Sequence, residues 1–326
     1  MRALLFDEPA ADTATTRVAE VPTPEPGPGE LSIDVRAAGV NFIDVMARRG
    51  DPGYATSWPF VPGLEVAGTV RALGPDVSGP AVGTPVAAFT GSGGLAEVAV
   101  VRAERVVAIP EGLSYEQAAV APGTLTTAAL LLGPAGRLRK GDIVLVHSAA
   151  GGVGQALASL ARLNGAGLLL GTVGGASRVA AAEASGYDAA LVRGDGLADA
   201  VREKTGGRRV DLILDPQGTE WLETDLELVA AGGRIVLFGN AGGTALTLPP
   251  AGRLFGGNVS IGGFSVRGYA ANAPHLIAEA LADVLAKVSA GDLSIELTAV
   301  DGLDRAADAQ QALAEGRGEG KYVVRI

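Results

Sequence analysis

The sequence predicts an α/β protein made of two parts, a β-rich amino-terminal domain followed by a doubly wound parallel sheet. Short β-rich runs separated by Pro and Gly clusters such as TPEPGPGE fill residues 1 to about 120. From about residue 124 to residue 262, strand-like and helix-like runs alternate instead. Such alternation is typical of a parallel sheet whose strands are joined by right-handed helical crossovers.

The first part contains four runs that are rich in β-branched and other apolar residues and are bounded by turn-forming residues. They are 2–6, 31–38, 65–71 and 95–101. Several short strands of this kind predict a barrel-like domain.

The second part combines continuous apolar runs, typical of strands buried in a parallel sheet, with runs of helical periodicity. The predicted strands are 143–148, 168–173, 210–215 and 234–239. The predicted helices are 156–164, 177–186, 196–205 and 222–231.

The tail after residue 262 contains VSIGGFSV, a helical stretch from about 274 to 290, and a strand, helix and strand that end in KYVVRI. This tail is too short to bury a core of its own. We therefore expect it to fold back onto the first part. The predicted domains are 1–123 completed by 263–326, and 124–262.

Composition excludes several classes of protein. The chain has 326 residues, 48% of them apolar, and a net charge of −10. Its basic residues are scattered, so nucleic-acid binding is not expected. There is no Cys and there are only two His, which excludes disulfides and Cys-ligated zinc and predicts no metal site. No run of 18 apolar residues and no signal pattern are found, so we expect a cytoplasmic protein without membrane contact.

A glycine-rich turn lies between the strand IVLV and the next helical run, in the sequence HSAAGGVGQ. It reads Ala149-x-Gly151-x-x-Gly154, a G-x-G-x-x-G motif whose first glycine is alanine. In this context such a turn binds a dinucleotide pyrophosphate at a helix N-terminus. The predicted phosphate-binding residues are Ala150, Gly151, Gly152, Val153 and Gly154.

The end of the next strand predicts the cofactor. An NAD site usually has Asp or Glu there to accept a hydrogen bond from the ribose 2′-OH. The sequence LLLGTVGGASR has no acid, and Gly174, Ser177 and Arg178 offer close backbone approach, a hydroxyl and a guanidinium. We therefore predict NADPH. The alternatives are a solvated helix residue for Arg178 and a helix N-cap for Ser177.

Several motifs occur in order along the chain: GVNFIDVMARRG, PFVPGLEVAGTV, GSGGLAEVAVV, IPEGLSYEQAAVAPGTLTTAALLL, AAGGVG and VDLILDPQG. Together they resemble the zinc-independent, zeta-crystallin-like quinone oxidoreductases of the medium-chain dehydrogenase/reductase superfamily. The resemblance implies a GroES-like catalytic domain, a Rossmann domain, NADPH, hydride transfer to a quinone or an activated double bond, and a homodimer. Zinc-dependent relatives have a catalytic Cys and a His where this chain has Asn41 and Leu64.

The resemblance also implies roles for individual residues. Asn41 is expected beside the nicotinamide, as a carboxamide or ribose contact, with loop capping as the alternative. Thr127 matches a threonine near the nicotinamide, with a helix-start hydroxyl as the alternative. Asp44 and Glu65 are interpreted mainly as structural residues that brace the floor of the site.

Five further positions match family segments near the cofactor. Gly239 and Asn240 end the RIVLFGN strand, and Phe264 and Ser265 follow later. Lys321 matches a family lysine near the site, with a solvated lysine as the alternative.

The chain also departs from the family. Ala129 replaces an aromatic residue and would open the pocket around the nicotinamide. The adenosine-side tyrosine is absent, which leaves Tyr187 or Arg193 as substitutes.

Hydride transfer depends mainly on positioning, so no strong general acid is required. Tyr54 and Lys321 are the candidates if one is used. Trp58 and Phe60 in the same loop as Tyr54 are candidates for contacting a flat ring, with packing of the barrel as the alternative. Two other functions remain open: an NADPH-dependent enoyl-thioester reductase, and a catalytically idle dinucleotide-binding protein.

Overall fold

The computed structural model describes residues 1–55, 57–243, 246–318 and 320–326. The chain forms two compact units. Unit 1 contains Met1–Thr126 and Tyr269–Ile326, and unit 2 contains Thr127–Gly268. The two boundaries lie three and six residues after the predicted ones at 123 and 262.

Strands and helices alternate through unit 2, whereas unit 1 is rich in strands. The strands are β1 (Arg2–Phe6), β2 (Thr16–Glu20), β3 (Glu30–Gly39), β4 (Glu65–Leu73), β5 (Pro85–Phe89), β6 (Val98–Arg102), β7 (Val106–Ala108), β8 (Ile143–Val146), β9 (Leu168–Val173), β10 (Ala189–Val192), β11 (Val210–Asp215), β12 (Val229–Leu237), β13 (Ser260–Gly263), β14 (Leu297–Asp301) and β15 (Lys321–Arg325). The α-helices are α1 (Phe42–Arg49), α2 (Tyr115–Ala119), α3 (Thr126–Leu130), α4 (Gly152–Leu163), α5 (Val179–Ala184), α6 (Leu197–Lys204), α7 (Leu222–Leu228), α8 (Ala251–Gly257), α9 (Val266–Asn272), α10 (Pro274–Ala290) and α11 (Ala306–Ala314).

The predicted β-rich part is confirmed in unit 1. Its large sheet has the strand order β14-β15-β3-β4-β5-β7, and β6 also pairs with β3. The small sheet joins β1 and β2 in antiparallel register. Apolar side chains on the inner face of these strands form the core, among them Phe6, Ile33, Val66 and Val101.

The tail returns to unit 1 as predicted. β15 pairs antiparallel with the end of β3, with Val323 opposite Gly39 and Val324 opposite Ala38. β14 then adds in parallel to β15. This register brings Lys321, the first residue of β15, next to the chain that follows β3.

Unit 2 contains the predicted doubly wound sheet. Its strand order is β10-β9-β8-β11-β12-β13, and every pairing is parallel. With β8 counted as the first strand, this is the order 3-2-1-4-5-6 of dinucleotide-binding sheets. Ligands of such sheets bind at the carboxyl ends of the strands. A ligand of unit 2 is therefore expected near the residues that follow β8, β9, β11, β12 and β13.

Several element boundaries differ from the predictions, and three of these differences have a clear structural reason. The predicted helix 222–231 ends at Leu228, because Val229 already pairs with Val210 of β11 and starts a strand. The predicted strand 143–148 ends at Val146, where the chain enters the turn. The helix predicted from residue 156 begins at Gly152, since the glycines of the motif form its first turn.

One helical stretch in the described part of the chain, Tyr115–Ala135, has the length and composition of a membrane span. Within its apolar window, 78% of the residues are buried inside the protein. Buried core helices meet the same criteria, so this observation is weak evidence for a membrane span.

Candidate functional site

The glycine-rich turn leads from β8 into α4. Gly151 is the N-cap residue of α4, and a Cβ on it would contact only the Ser148 carbonyl oxygen, at 3.3 Å. A Cβ on Gly154 would lie 2.4 Å from the Ala149 carbonyl oxygen, closer than real Cβ atoms approach. Gly154 therefore lets the helix close on the strand, and the exposed Gly151 leaves the backbone N–H groups of the first turn accessible to an anion. This geometry fits a dinucleotide pyrophosphate.

The structure places Arg178 beside this turn. Ser177 and Arg178 lie in a single helical turn, Ala176–Arg178, after the end of β9. The Arg178 Nη2 donates a hydrogen bond to the Ala150 carbonyl oxygen at 3.0 Å, and the side chain is half-buried. The solvated alternative for Arg178 is therefore wrong. The N-cap alternative for Ser177 is also wrong, because Gly175 occupies the N-cap position.

Of the two substitutes for an adenosine contact, only Arg193 lies near the loop after β9. Its Nη2 is 3.3 Å from the position that a Cβ on Gly174 would take, and its Nη1 donates to the Thr172 hydroxyl at 3.3 Å. Tyr187 is buried, and its hydroxyl donates to the Gly154 carbonyl oxygen at 2.6 Å. Burial raises the pKa of Tyr187 above its usual value. Tyr187 therefore supports α4.

The other predicted cofactor contacts of unit 2 follow the carboxyl ends of β12 and β13. A Cβ on Gly239 would lie 2.6 Å from the Pro216 carbonyl oxygen, so this close approach of two loops requires glycine. Asn240 follows it, and Phe264 and Ser265 follow β13. These residues lie at the same end of the sheet as the glycine-rich turn. Thr127, in contrast, lies in α3 and is 7% exposed.

In unit 1, a buried carboxylate organises the polar residues around the start of α1. Glu65 is 0% exposed and accepts hydrogen bonds from the backbone N–H groups of Gly123 at 2.7 Å and Thr124 at 3.1 Å. A Cβ on Gly39 would lie 2.3 Å from its Oε1. The glycines at 39 and 123 therefore make room for this carboxylate.

Lys321 provides the opposite charge and uses all its donors in doing so. Its Nζ lies 2.7 Å from Glu65 Oε1, 2.7 Å from the Val40 carbonyl oxygen and 2.6 Å from Asn41 Oδ1. The solvated alternative for Lys321 is wrong, since the residue is 4% exposed. Asn41 Nδ2 donates to Glu65 Oε1 at 2.9 Å and to the Gly39 carbonyl oxygen at 3.3 Å. Neither side chain has an N–H group left for a ligand.

Asp44 holds the loop between β3 and α1 in place through hydrogen bonds. It accepts hydrogen bonds from the backbone N–H groups of Asn41 at 2.8 Å and Gly63 at 3.0 Å. Burial raises the pKa of Asp44 to about 6, although both hydrogen bonds oppose the shift. These contacts agree with the bracing role that the family resemblance implies for Asp44 and Glu65.

The aromatic residues near Tyr54 pack into unit 1. The Phe60 ring lies 6.3 Å from the Phe6 ring and 6.4 Å from the Trp58 ring, measured between centroids. Tyr54, Trp58 and Phe60 are half-buried against the core of this unit. The packing interpretation of Trp58 and Phe60 therefore agrees with the structure.

The structure also brings together a polar cluster in unit 2 that the sequence analysis missed. The His147 Nδ1 is 2.8 Å from the Thr172 hydroxyl, and its Nε2 is 2.9 Å from Asp225 Oδ1. Ligand-type atoms of His147, Asp215 and Asp225 all lie within 4.8 Å of one another. Both ring nitrogens are in hydrogen bonds, so we interpret the cluster as a hydrogen-bonded network. The sequence signal was a polar residue at the end of each of two adjacent parallel strands.

Charge effects in this cluster favour an extra proton. Burial alone would lower the pKa of His147, but the charge of Asp225 and the hydrogen bond to it outweigh burial and raise this pKa. Burial raises the pKa of Asp215 to about 6.

Comparisons with known proteins cover both units. Residues 27–111 match the model of the alcohol dehydrogenase GroES-like domain, and residues 152–285 match that of the zinc-binding dehydrogenase family. A quinone oxidoreductase of Pseudomonas aeruginosa is 34% identical over 311 residues, which are 92% of each chain. Human synaptic vesicle membrane protein VAT-1 homolog-like is 47% identical over 137 residues, 42% of this chain, and this match spans about a third of its length (33%).

Solved structures show the same fold. The quinone oxidoreductase of Escherichia coli, whose crystal structure is described as complexed with NADPH, aligns over 100% of both chains with a TM-score of 0.91 and 26% identity.

We expect the buried Glu65–Lys321 pair to stabilise the protein only as a pair. Lys321→Met leaves an unpaired buried carboxylate, which should lower the free energy of unfolding by about 3–5 kcal/mol. Adding Glu65→Gln should recover part of this loss, because the double variant has no buried charge at this point. Urea unfolding, monitored by circular dichroism, measures the free energy of unfolding of the single and the double variant.

The matched control is Arg325→Met on the same strand, because Arg325 is exposed in its ion pairs with Glu116 and Asp301. It should unfold like the wild type. A Lys321→Met variant that unfolds like this control would contradict the prediction.

Proposed function

Because the chain belongs to the quinone oxidoreductases of the medium-chain dehydrogenase/reductase superfamily, we propose that it is an NADPH-dependent oxidoreductase. It transfers a hydride to a quinone or a similar activated double bond, and it does so without a metal. The observation that carries this proposal is the closed hydrogen-bond network of Glu65, Lys321 and Asn41.

Unit 2 holds the cofactor in this proposal. The glycine-rich turn presents the first N–H groups of α4 to the pyrophosphate, and Arg178 supplies positive charge for the 2′-phosphate. Residues 168–178 include no Asp or Glu that would repel that phosphate. NADPH would supply the hydride. The NADPH complex of the Escherichia coli relative supports the same cofactor.

The closed network favours acceptors that need no electrophile. Reduction of an aldehyde or ketone develops charge on one oxygen, which enzymes stabilise with a metal or with N–H and O–H donors. Every side-chain N–H group of Asn41 and Lys321 is already used. A quinone spreads the incoming charge over its ring and both oxygens. Its product leaves as an oxyanion and takes its proton from water.

The residues present do not fit the catalytic zinc of the zinc-dependent relatives. Leu64 is an apolar residue with no ligand atom, and it is 5% exposed. The amide of Asn41 is engaged with Lys321 and Glu65, and the ammonium already supplies the local positive charge. Soft Cys ligands are absent from the whole sequence.

We also propose that the protein forms a homodimer through unit 2. β13 is an edge strand of its sheet, and among the described residues it pairs only with β12. Exposed apolar side chains lie in the segment just before it: Leu246 (61% exposed), Leu248 (67%) and Phe255 (76%). An open strand edge next to an apolar surface is a common place for two copies to pair.

Arg178→Ala should weaken NADPH binding by about 10- to 150-fold, because a charge-assisted hydrogen bond contributes roughly 1.5–3 kcal/mol. NADH lacks the 2′-phosphate, so its affinity should hardly change. Fluorescence titration with each nucleotide measures both constants. The control is Arg202→Ala on α6, where the guanidinium pairs with Asp199 at the surface. Equal weakening of both nucleotides would show that Arg178 has a structural role.

The acceptor is identified by turnover of the wild type and Tyr54→Phe with quinones and with enoyl thioesters at saturating NADPH. With a quinone, Tyr54→Phe should lose less than about tenfold, since loss of a true general acid costs roughly 10²- to 10⁴-fold. Tyr322→Phe is the matched control, because Tyr322 packs against the same core.

Two outcomes would overturn the quinone assignment. Wild-type activity confined to enoyl thioesters, with a loss above about a hundredfold in Tyr54→Phe, would identify an enoyl-thioester reductase. Absence of NADPH oxidation with every acceptor would leave the idle binding protein.

Sedimentation velocity tests the homodimer. The wild type should sediment as a dimer at micromolar concentration, and Phe255→Asp should shift it toward the monomer because a charge would be buried at the interface. Val82→Asp in unit 1, at a position that is 62% exposed, should stay dimeric. A monomeric wild type would refute the proposal.

A further inference from the structure

The glycine-rich turn opens with a residue in an unusual backbone conformation. Ser148 has a φ of 60°, in the left-handed region that residues with a Cβ rarely adopt. Such a conformation persists only where the surroundings hold it in place, and it occurs often at ligand sites. The contacts around Ser148 therefore determine how the turn is presented to a ligand.

Ser148 is held on both sides. Its Oγ accepts a hydrogen bond from Gln217 Nε2 at 2.6 Å, and the next N–H group, of Ala149, donates to the Thr172 carbonyl oxygen at 2.9 Å. The preceding residue, His147, is 1% exposed. Its ring bridges the Thr172 hydroxyl and Asp225, so the residue before the turn has no freedom to rotate.

The charges facing His147 come from four elements or loops. Asp215 ends β11, Asp225 lies on α7, and Arg193 follows β10 with Glu220 near it. Asp215 Oδ2 and Asp225 Oδ2 are buried and have no hydrogen-bond partner among the described atoms. With a neutral imidazole, two buried carboxylates face one guanidinium next to the turn.

We propose that His147 is a positioning residue for the dinucleotide, holding Ser148 and the glycine-rich turn in their phosphate-binding geometry through Asp225 and Thr172. The proton that His147 shares with Asp215 and Asp225, together with the charge of Arg193, balances the two buried carboxylates next to the phosphates. This inference rests on the proposed function, because it requires that the turn binds a dinucleotide.

A protonated His147 donates through both ring nitrogens, Nε2–H to Asp225 and Nδ1–H to the Thr172 oxygen. The raised pKa values of His147 and Asp215 mean that the cluster retains this proton toward neutral pH and loses it as the pH rises further. The cluster then becomes negative close to the pyrophosphate. Dinucleotide affinity is therefore highest at low pH and falls as the pH increases.

The test is a fluorescence titration of NADPH and NADH at pH values from about 6.5 to 9.5. A unit charge about 10 Å from a phosphate changes affinity by about tenfold. The wild type should lose about this factor over the range with both nucleotides, since both carry the pyrophosphate. Titration of the 2′-phosphate itself would affect NADPH alone.

Two variants isolate the cluster. Asp225→Asn removes one buried carboxylate, so its affinity for both nucleotides should become independent of pH. His147→Gln should bind both nucleotides about tenfold more weakly at pH 7 and show no pH dependence. His275→Gln, the other histidine, should keep the wild-type profile. Thermal melting of each variant checks that it is folded.

A wild type that binds with the same affinity across this range, or an Asp225→Asn variant with the wild-type profile, would overturn this inference and leave the proposed function intact. A wild type that binds neither nucleotide at pH 7 would overturn both.

Discussion

The buried carboxylate of Glu65 is the interaction on which the polar chemistry of unit 1 depends. A carboxylate without solvent is stable only with an opposite charge and hydrogen-bond donors around it. Lys321 supplies the charge, and it reaches Glu65 only because β15 of the tail pairs with the end of β3. The pairing of the tail with β3 and the orientation of the Asn41 amide are therefore both coupled to one buried charge.

Unit 2 meets a different constraint, because the anion site proposed for it consists of backbone N–H groups. Gly154 lets α4 approach β8. Ser148 is held in a left-handed conformation by a hydrogen bond from Gln217, which follows β11, and by the bond that the N–H group of Ala149 donates to Thr172 of β9. The polar residues at the carboxyl ends of these strands hold the turn in place through hydrogen bonds. Binding and positioning are thus separated in the proposed site: backbone groups would hold the phosphates, and buried side chains hold the backbone.

Much of the fold was predictable because local patterns determine it. The helix predicted from about 274 to 290 is α10 (Pro274–Ala290), and the strands predicted at 168–173 and 210–215 have those bounds. The strand predicted at 234–239 begins earlier, at Val229, since its pairing with β11 overrides a helical pattern that runs to residue 231. The burial of Lys321 and the His147–Asp225 contact join residues far apart in sequence, and no local pattern encodes such contacts.

We propose that the closed network of unit 1 leaves hydride transfer to acceptors that need no electrophile. The most direct measurement is NADPH oxidation by protein of known metal content, with a quinone and with an aldehyde, in the presence and absence of a chelator. We expect turnover with the quinone that is insensitive to the chelator, and no turnover with the aldehyde. Aldehyde reduction that is lost with the chelator and restored by zinc would contradict it.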